Sequence, residues 1–502
     1  MMFMQNMKRI FLTITAAAAL CGCAVGPDFE SPEEKLSENW NARLGDGRGA
    51  AVSDEELAQW WELFGDPELT SLISRAFDGN LSIETAAEKI AQARSTLGIT
   101  QSGLFPTLDV NAKMSEKGKP IDTSSTSYGM GATAAWEIDI FGGTRRSIES
   151  AAADYKAALA DGAAARIAVA AEVAQNYFTY RSLQQEIAIT KSNLETQKST
   201  YRVTQRRQKS GFVSRLDTVR AAAQVENTMA QIPELESQLE RTRHALEYLL
   251  GLKTGELAKE LETVGDLPKL ERYVPASVPA KLLERRPDII STEYKLHAAT
   301  AKIGTARADY YPKFSITGNI SYEAPKIGNI VQNQYGSWSV GPSMTWNIFQ
   351  AGKTVYNVEL QESLTRAAGV NWRDKVLTAV KEVEDALVSA EKEREKIGYL
   401  TSIVANYRKA FEYSRELYEQ GEIEFIDLLE AQRSMLSSER TQVVARKNFV
   451  NYIVSLYKSL GGGWTEDSET AAENKDADAR LLNQFERGGA CRLKSRRRIF
   501  SY

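Results

Sequence analysis

The sequence predicts a mainly α-helical chain with a small membrane β-barrel portion, assembled from two copies of one unit. Three observations predict it. There is no proline between Pro120 and Pro233 and none after Pro342, which leaves room for very long helices. Four short segments alternate apolar and polar residues at a period of two, as half-buried strands do. Paired landmarks recur once along the chain, 206 to 210 residues apart. The 502 residues are 43% hydrophobic and 25% charged, with 13 Pro and 33 Gly, which argues against wholesale disorder and against a disulfide-stapled mini-fold.

The N-terminus reads as an export signal over residues 1–22. Lys8 and Arg9 precede an apolar run from Ile10 to Leu20, too short to span a bilayer as a helix. An ordinary secretory signal is one reading and a lipoprotein signal the sharper one, because Leu20 and Gly22 stand in lipobox positions before Cys23. On that reading Cys23 becomes the lipidated N-terminus and Cys491 the only remaining thiol. Ala24 follows Cys23 where inner-membrane lipoproteins usually carry Asp, so an outer-membrane address is favoured. No later stretch reaches 18 consecutive apolar residues.

The repeat is defined by landmarks in order. Leu97-Gly98 returns as Ile303-Gly304 and Phe105-Pro106 as Tyr311-Pro312, both at an offset of 206. Ile140-Phe141 returns as Ile348-Phe349 at 208; Gly211, Asp217 and Ala221 return as Gly421, Asp427 and Ala431 at 210, as does Leu250-Gly251 as Leu460-Gly461. The units are expected at about 66–251 and 280–464, within a domain covering 23–464. Each reads as helix, two strands, very long helix, glycine break, helix.

The strands are expected at about 107–116, 128–141, 313–322 and 337–349. One face carries Tyr128, Met130, Ala132, Ala134, Trp136, Ile138 and Ile140, then in the second copy Trp338, Val340, Pro342, Met344, Trp346 and Ile348. The partner strands contribute Leu108, Val110, Ala112 and Met114, then Phe314, Ile316, Ile320 and Tyr322. A soluble hairpin gives the same period, but the export signal and strand lengths of about 9–11 residues fit a membrane strand. Four strands cannot close a barrel, and an open edge in lipid leaves backbone groups unsatisfied, so insertion requires several chains to share one barrel. Glu137 and Asp139 are the charges expected on the lumenal face of their strand. The long helices are expected from about Arg145 to Lys209 and Lys353 to Gln420, each on the order of 100 Å at 1.5 Å per residue. Rows such as Ile167, Val169, Val173, Ala174, Tyr177, Phe178 and Tyr180 form the apolar stripe, and breaks follow at Gly211 and Gly421.

Other chemistry is poorly supported. A formal net charge of −4 argues against general nucleic-acid binding, and only two His and three Cys argue against a metal centre. No phosphate-cradling glycine loop, catalytic triad or HExxH motif is present, so no catalytic residue, cofactor or metal is expected beyond the lipid on Cys23. His244 and His297 read as helix surface residues. The tail 465–502 is polar, turns basic at its end and reads as disordered.

Seven motifs in order carry a resemblance: Cys23-Ala-Val-Gly-Pro-Asp-Phe, Gly65-Asp-Pro-Glu-Leu, Trp136-Glu-Ile-Asp-Ile-Phe-Gly, Arg285-Arg-Pro-Asp-Ile, Ile303-Gly-Thr-Ala-Arg-Ala, Asp427-Leu-Leu-Glu-Ala-Gln-Arg-Ser and Leu456-Tyr-Lys-Ser-Leu-Gly-Gly-Gly-Trp. The chain resembles the TolC-type outer-membrane efflux proteins, lipoprotein branch, from Cys23 to Trp464. The resemblance implies a homotrimer with a twelve-stranded barrel in the outer membrane and a periplasmic helical tunnel. It also implies a periplasmic adaptor and an inner-membrane pump of the resistance–nodulation–division type as partners. It places a closing gate at the periplasmic tip, with carboxylates at Asp427 and Glu430 on one helical face and Ile426 as an apolar constriction. Tyr418 stands where relatives use a Tyr in a closing network, and Asp217 corresponds to the acidic residue of the facing repeat. The Arg of that network falls at Ile423, so its ionic latch is not expected. The turns at Gly211 and Gly421 are the expected adaptor contacts. A non-conducting trimeric stalk and an exit duct for secreted polypeptides are the alternatives.

Overall fold

The computed structural model describes residues 24–34, 36, 37, 40, 41, 54–119, 122–268, 270 and 285–464. The expected signal, Cys23 and the 465–502 tail lie outside these residues. Contacts divide the chain into two units. One holds the N-terminal residues through Leu36 with Thr85–Gly162 and Pro287–Thr378; the other holds Ser37–Glu84, Ala163–Arg286 and Ala379 onward.

The helices begin where local chemistry lets them. α1 (Pro67–Gly79) starts at Asp66, whose carboxylate accepts from the Glu68 and Leu69 amides at 3.0 and 3.2 Å, with proline at the first helical position. α2 (Leu81–Ser102) is capped by Asn80, whose side-chain oxygen accepts from Ser82 at 2.9 Å. After β1 (Thr107–Lys119) and β2 (Asp122–Ile138) come α3 (Gly143–Lys209) and α4 (Arg215–Leu249). The second copy repeats the order: α5 (Pro287–Ala308), β3 (Lys313–Ala324), β4 (Gly336–Thr345), α6 (Lys353–Gln420) and α7 (Phe425–Ser459). The long helices fall within two residues of the expected bounds.

The strands differ more. β1 runs on to Lys119 and β2 begins at Asp122, so this hairpin extends beyond the expected span at its turn end. At the other end β2 stops at Ile138 and β4 at Thr345, earlier than expected. The cause is the turn into the following helix: Ile140 donates back to the Ile138 carbonyl at 2.9 Å, and Gly142 takes φ +78°. Trp136 and Trp346 mark this junction in the two copies; their indole N–H groups donate to the carbonyls of Leu104 and Tyr310 at 2.9 and 3.1 Å.

Among the described residues the second unit has the larger core. Trp60 stacks on Tyr457 with centroids 5.7 Å apart, and Phe64 meets Phe178 at 5.0 Å. Around them pack Val169, Val173, Ala174, Tyr177 and Tyr180 of α3 and Val450, Ile453 and Val454 of α7. The stripe read from the sequence of α3 is therefore buried. A buried cation, Arg181, is held in this core. Arg181, 5% exposed, pairs with Glu68 and donates to Tyr177 Oη at 3.1 Å and the Thr263 carbonyl at 2.6 Å. Burial opposes the Arg181 charge, but Tyr177, Glu68 and Asp66 outweigh it and raise its pKa; burial first, then the Asp66 hydrogen bond, pushes the Tyr177 phenol far above its ordinary value.

Candidate functional site

The sheet is antiparallel throughout, in the order β1-β2-β3-β4, so among the described residues one side of β1 and one side of β4 are left without a strand partner. Register brings the apolar residues into rows. Leu108 lies opposite Ala134, Val110 opposite Ala132, Trp136 opposite Ile316, Ile316 opposite Pro342, and Ile320 opposite Trp338. The other face is a polar ladder: Asp109–Thr133–Asn319–Ser339 forms one rung and Glu137–Ser315–Ser343 another. Hydroxyls bond across the strands, Ser315 to Ser343 at 2.8 Å and Ser321 to Ser337 at 2.9 Å. In the isolated chain the apolar face is bare, with Val110 77% and Trp338 76% exposed. A bare apolar face backed by a hydrogen-bonded polar face suits lipid on one side and water on the other.

Glu137 is exposed on the polar face, opposite Ser315. Asp139 is not on that face. It lies beyond the end of β2, where its carboxylate accepts from the Arg145 amide at 2.9 Å and pairs with the Arg145 side chain at 3.4 Å. It serves the start of α3, where a negative charge is favoured by the exposed amides.

The helices of this unit also leave apolar surface uncovered. α2 has no buried residue over its length. Tyr356, Leu360, Leu364, Val370 and Leu377 lie exposed along one face of α6.

An N-terminal strap crosses the start of α3. Val25 donates to the Phe141 carbonyl at 3.0 Å, and buried Arg146 donates to the Val25 carbonyl at 3.3 Å and to Asp28 at 2.6 Å. Arg146 also reaches Glu149 at 2.8 Å, which in turn meets His297 Nε2 at 2.9 Å. Phe29 stacks on the His297 ring at 4.4 Å. His297 is thus a half-buried clasp residue rather than the surface histidine read from the sequence; no local pattern in α5 foretells a stack with a residue 268 positions away. Burial pushes the Glu149 carboxyl up, but its hydrogen bonds and charge contacts with Arg146 and His297 prevail and hold it below the ordinary value.

The two glycine breaks form matching tips in the other unit. Gly211 and Gly421 take φ +79° and +84°, a conformation open to glycine. Each closes a Schellman turn. Phe212 donates to the Arg207 carbonyl and Glu422 to the Leu417 carbonyl, both at 2.9 Å. Asp427, Glu430 and Ile426 lie together on the exposed face at the start of α7, while Phe425, Leu428 and Leu429 face inward. The three-residue spacing of the carboxylates therefore does place them on one free face. Tyr418 and Asp217 are engaged within the chain. Tyr418 is 2% exposed, its hydroxyl 3.2 Å from Thr204 Oγ1, its ring edge-on to Phe425 at 5.8 Å and under the Arg207 guanidinium. Arg207 also donates to the Tyr418 carbonyl. Asp217 forms a capping box with Ser214 at the start of α4 and pairs weakly with Arg220 at 3.9 Å. Sequence reasoning missed Arg207, although its place in a basic last turn, four residues before a break glycine, marks it as a possible C-terminal clamp.

An amphipathic sheet unpartnered at both edges and long helices ending in paired glycine turns define the subunit of an outer-membrane channel. A profile of the family described as "Outer membrane efflux protein" matches residues 72–252 and 278–462. Nodulation protein T of Rhizobium leguminosarum bv. viciae is 32% identical over 451 residues, covering 89% of this chain and 92% of that protein. The outer-membrane channel OprN superposes with a TM-score of 0.80 at 32% identity, over 88% of this chain and all of the other. The CmeC outer membrane channel of Campylobacter jejuni gives 0.83 at 25% identity, over 90% and 98%. The chain belongs to the outer membrane efflux protein family. It is an outer-membrane efflux channel with a periplasmic helical extension, in a family of conduits rather than enzymes.

Proposed function

We propose that three copies of this chain close one barrel and one helical tunnel, forming the passive exit of a tripartite pump for small molecules. A resistance–nodulation–division pump in the inner membrane supplies the energy, and a periplasmic adaptor meets the tips at Gly211 and Gly421. The sheet carries the reading: four strands with both edges unpaired and a bare apolar face cannot rest in lipid alone. Three such sheets give twelve strands, a closed barrel. The uncovered faces of α2 and α6 supply apolar surface for neighbouring copies. Lipid on Cys23 anchors the mature N-terminus close to the sheet, because Ala24 packs against Gly142, just past the end of β2. The gate is formed by Ile426 and by rings of Asp427 and Glu430 carboxylates, which repel one another, favour cations and part when the adaptor engages. Tyr418 and Asp217 hold the tips in shape beneath it.

A non-conducting stalk has no use for an amphipathic sheet. Planar-bilayer recording on purified protein, with its mass measured in detergent, tests the reading. Trimers with stepwise conductance are expected; a monomeric, electrically silent protein overturns it.

A further inference from the structure

The two tips occupy equivalent places in the repeat but carry opposite charge. Residues 202–220 contain six basic side chains (Arg202, Arg206, Arg207, Lys209, Arg215, Arg220) and one acidic, Asp217. The equivalent residues 412–430 contain seven acidic side chains and one basic, Arg415. At the repeat offset of 210, Arg202 becomes Glu412, Arg206 becomes Glu416, Lys209 becomes Glu419 and Arg220 becomes Glu430. Apart from half-buried Arg207 and Asp217 these side chains are exposed, and among the described residues the Arg220–Asp217 contact is the only ion pair in either segment. Elsewhere on the same helices charges are tied in short pairs, such as Lys191–Glu236 and Arg394–Glu391, both at 2.8 Å. Unpaired like charges held at one helix end repel, and an oppositely charged partner relieves that.

The tips differ in apolar surface too. The first presents Phe212, Leu216 and Val219, 76%, 56% and 57% exposed, along one face at the start of α4. In the second, Glu422 stands in the place of Phe212, and past the turn only Ile426, 38% exposed, presents a large apolar side chain.

We infer that the tips are two different docking surfaces: the first takes the end of an amphipathic helical hairpin with an acidic flank, and the second takes a basic one. This rests on the docking role given above to the turns at Gly211 and Gly421. A partner meeting both tips then presents opposite faces to them, and charge sets the rotational register of assembly before apolar contact forms.

The test uses full-length protein in nanodiscs with a photoreactive residue in place of Phe212 or Glu422. The probes are two synthetic helical hairpins sharing one apolar stripe, one flanked by glutamates and one by lysines. The acidic probe is expected to label the Phe212 position and the basic probe the Glu422 position, each with about tenfold preference, lost in high salt as screening shortens below about 10 Å. The variant Arg206→Glu/Lys209→Glu/Arg220→Glu is expected to move the basic probe onto the first tip. Labelling of both tips by either probe alike overturns the division by charge and leaves docking intact. No labelling of either tip on a conducting channel overturns the docking role itself. If the triple variant instead changes the number of chains per particle, the charges serve contacts between copies and the inference falls.

Discussion

Gly251 and Gly211 occupy the same kind of helix-ending turn but have different surroundings. Both hold left-handed backbone, with φ +68° and +79°. Placing alanine in that conformation costs about 1–2 kcal/mol at either position. At Gly211 a new Cβ meets nothing within 4 Å, so the backbone cost stands alone. At Gly251 it would lie 2.1 Å from the Gly79 carbonyl oxygen and 3.1 Å from its carbon. That neighbour is backbone at the end of α1, fixed by Asn80, whose side-chain amide donates to the Leu249 carbonyl at 2.7 Å. The turn must therefore shift as a whole, which adds about 1–3 kcal/mol, as overpacking does. Gly251→Ala is expected to lose about 2–5 kcal/mol and Gly211→Ala about 1–2. Urea unfolding in detergent, followed by circular dichroism of the helices, measures both. Equal losses would show that the α1 contact contributes nothing and that only the backbone conformation matters.

Neutralising the gate carboxylates with Asp427→Asn/Glu430→Gln is expected to remove cation preference, read as the reversal potential across a salt gradient; an unchanged preference refutes the ring. Arg181→Leu leaves the Glu68 carboxylate without its cation, while Tyr177 keeps Asp66 and the Thr263 carbonyl keeps Gln184, and is expected to cost about 3–5 kcal/mol. Arg75→Leu breaks the half-exposed Glu260 pair at 2.9 Å and is expected to cost under about 1 kcal/mol, so equal losses in denaturation would contradict the burial argument. The Glu149 carboxyl is held below its ordinary pKa, so its contribution is full above the unfolded value near 4.3 and is lost as pH falls through the lower folded value. Melting temperatures of the parent and Glu149→Gln are expected to differ at pH 6 and converge below about pH 4; a constant gap across that range removes Glu149 from the clasp.

Much of this molecule was legible in one dimension because its elements are long and their periods local. The two great helices, the four strands, their apolar and polar faces and the repeat that doubles them all follow from spacing along the chain. A period of two or 3.6 needs only neighbours in sequence to be read. The exposed placement of Ile426, Asp427 and Glu430 followed likewise from helical spacing. Tertiary structure alone decided which groups are already spoken for. Asp139 met the Arg145 amide because the chain leaves the sheet at Ile138 to begin α3, whereas the hold of Ser214 on Asp217 is a local capping box within three residues. Tyr418 went inward to Thr204, and His297 met Phe29 and Glu149 from distant segments. A side chain's partner is fixed by whichever group the fold brings within about 3 Å, and sequence separation carries no record of that distance.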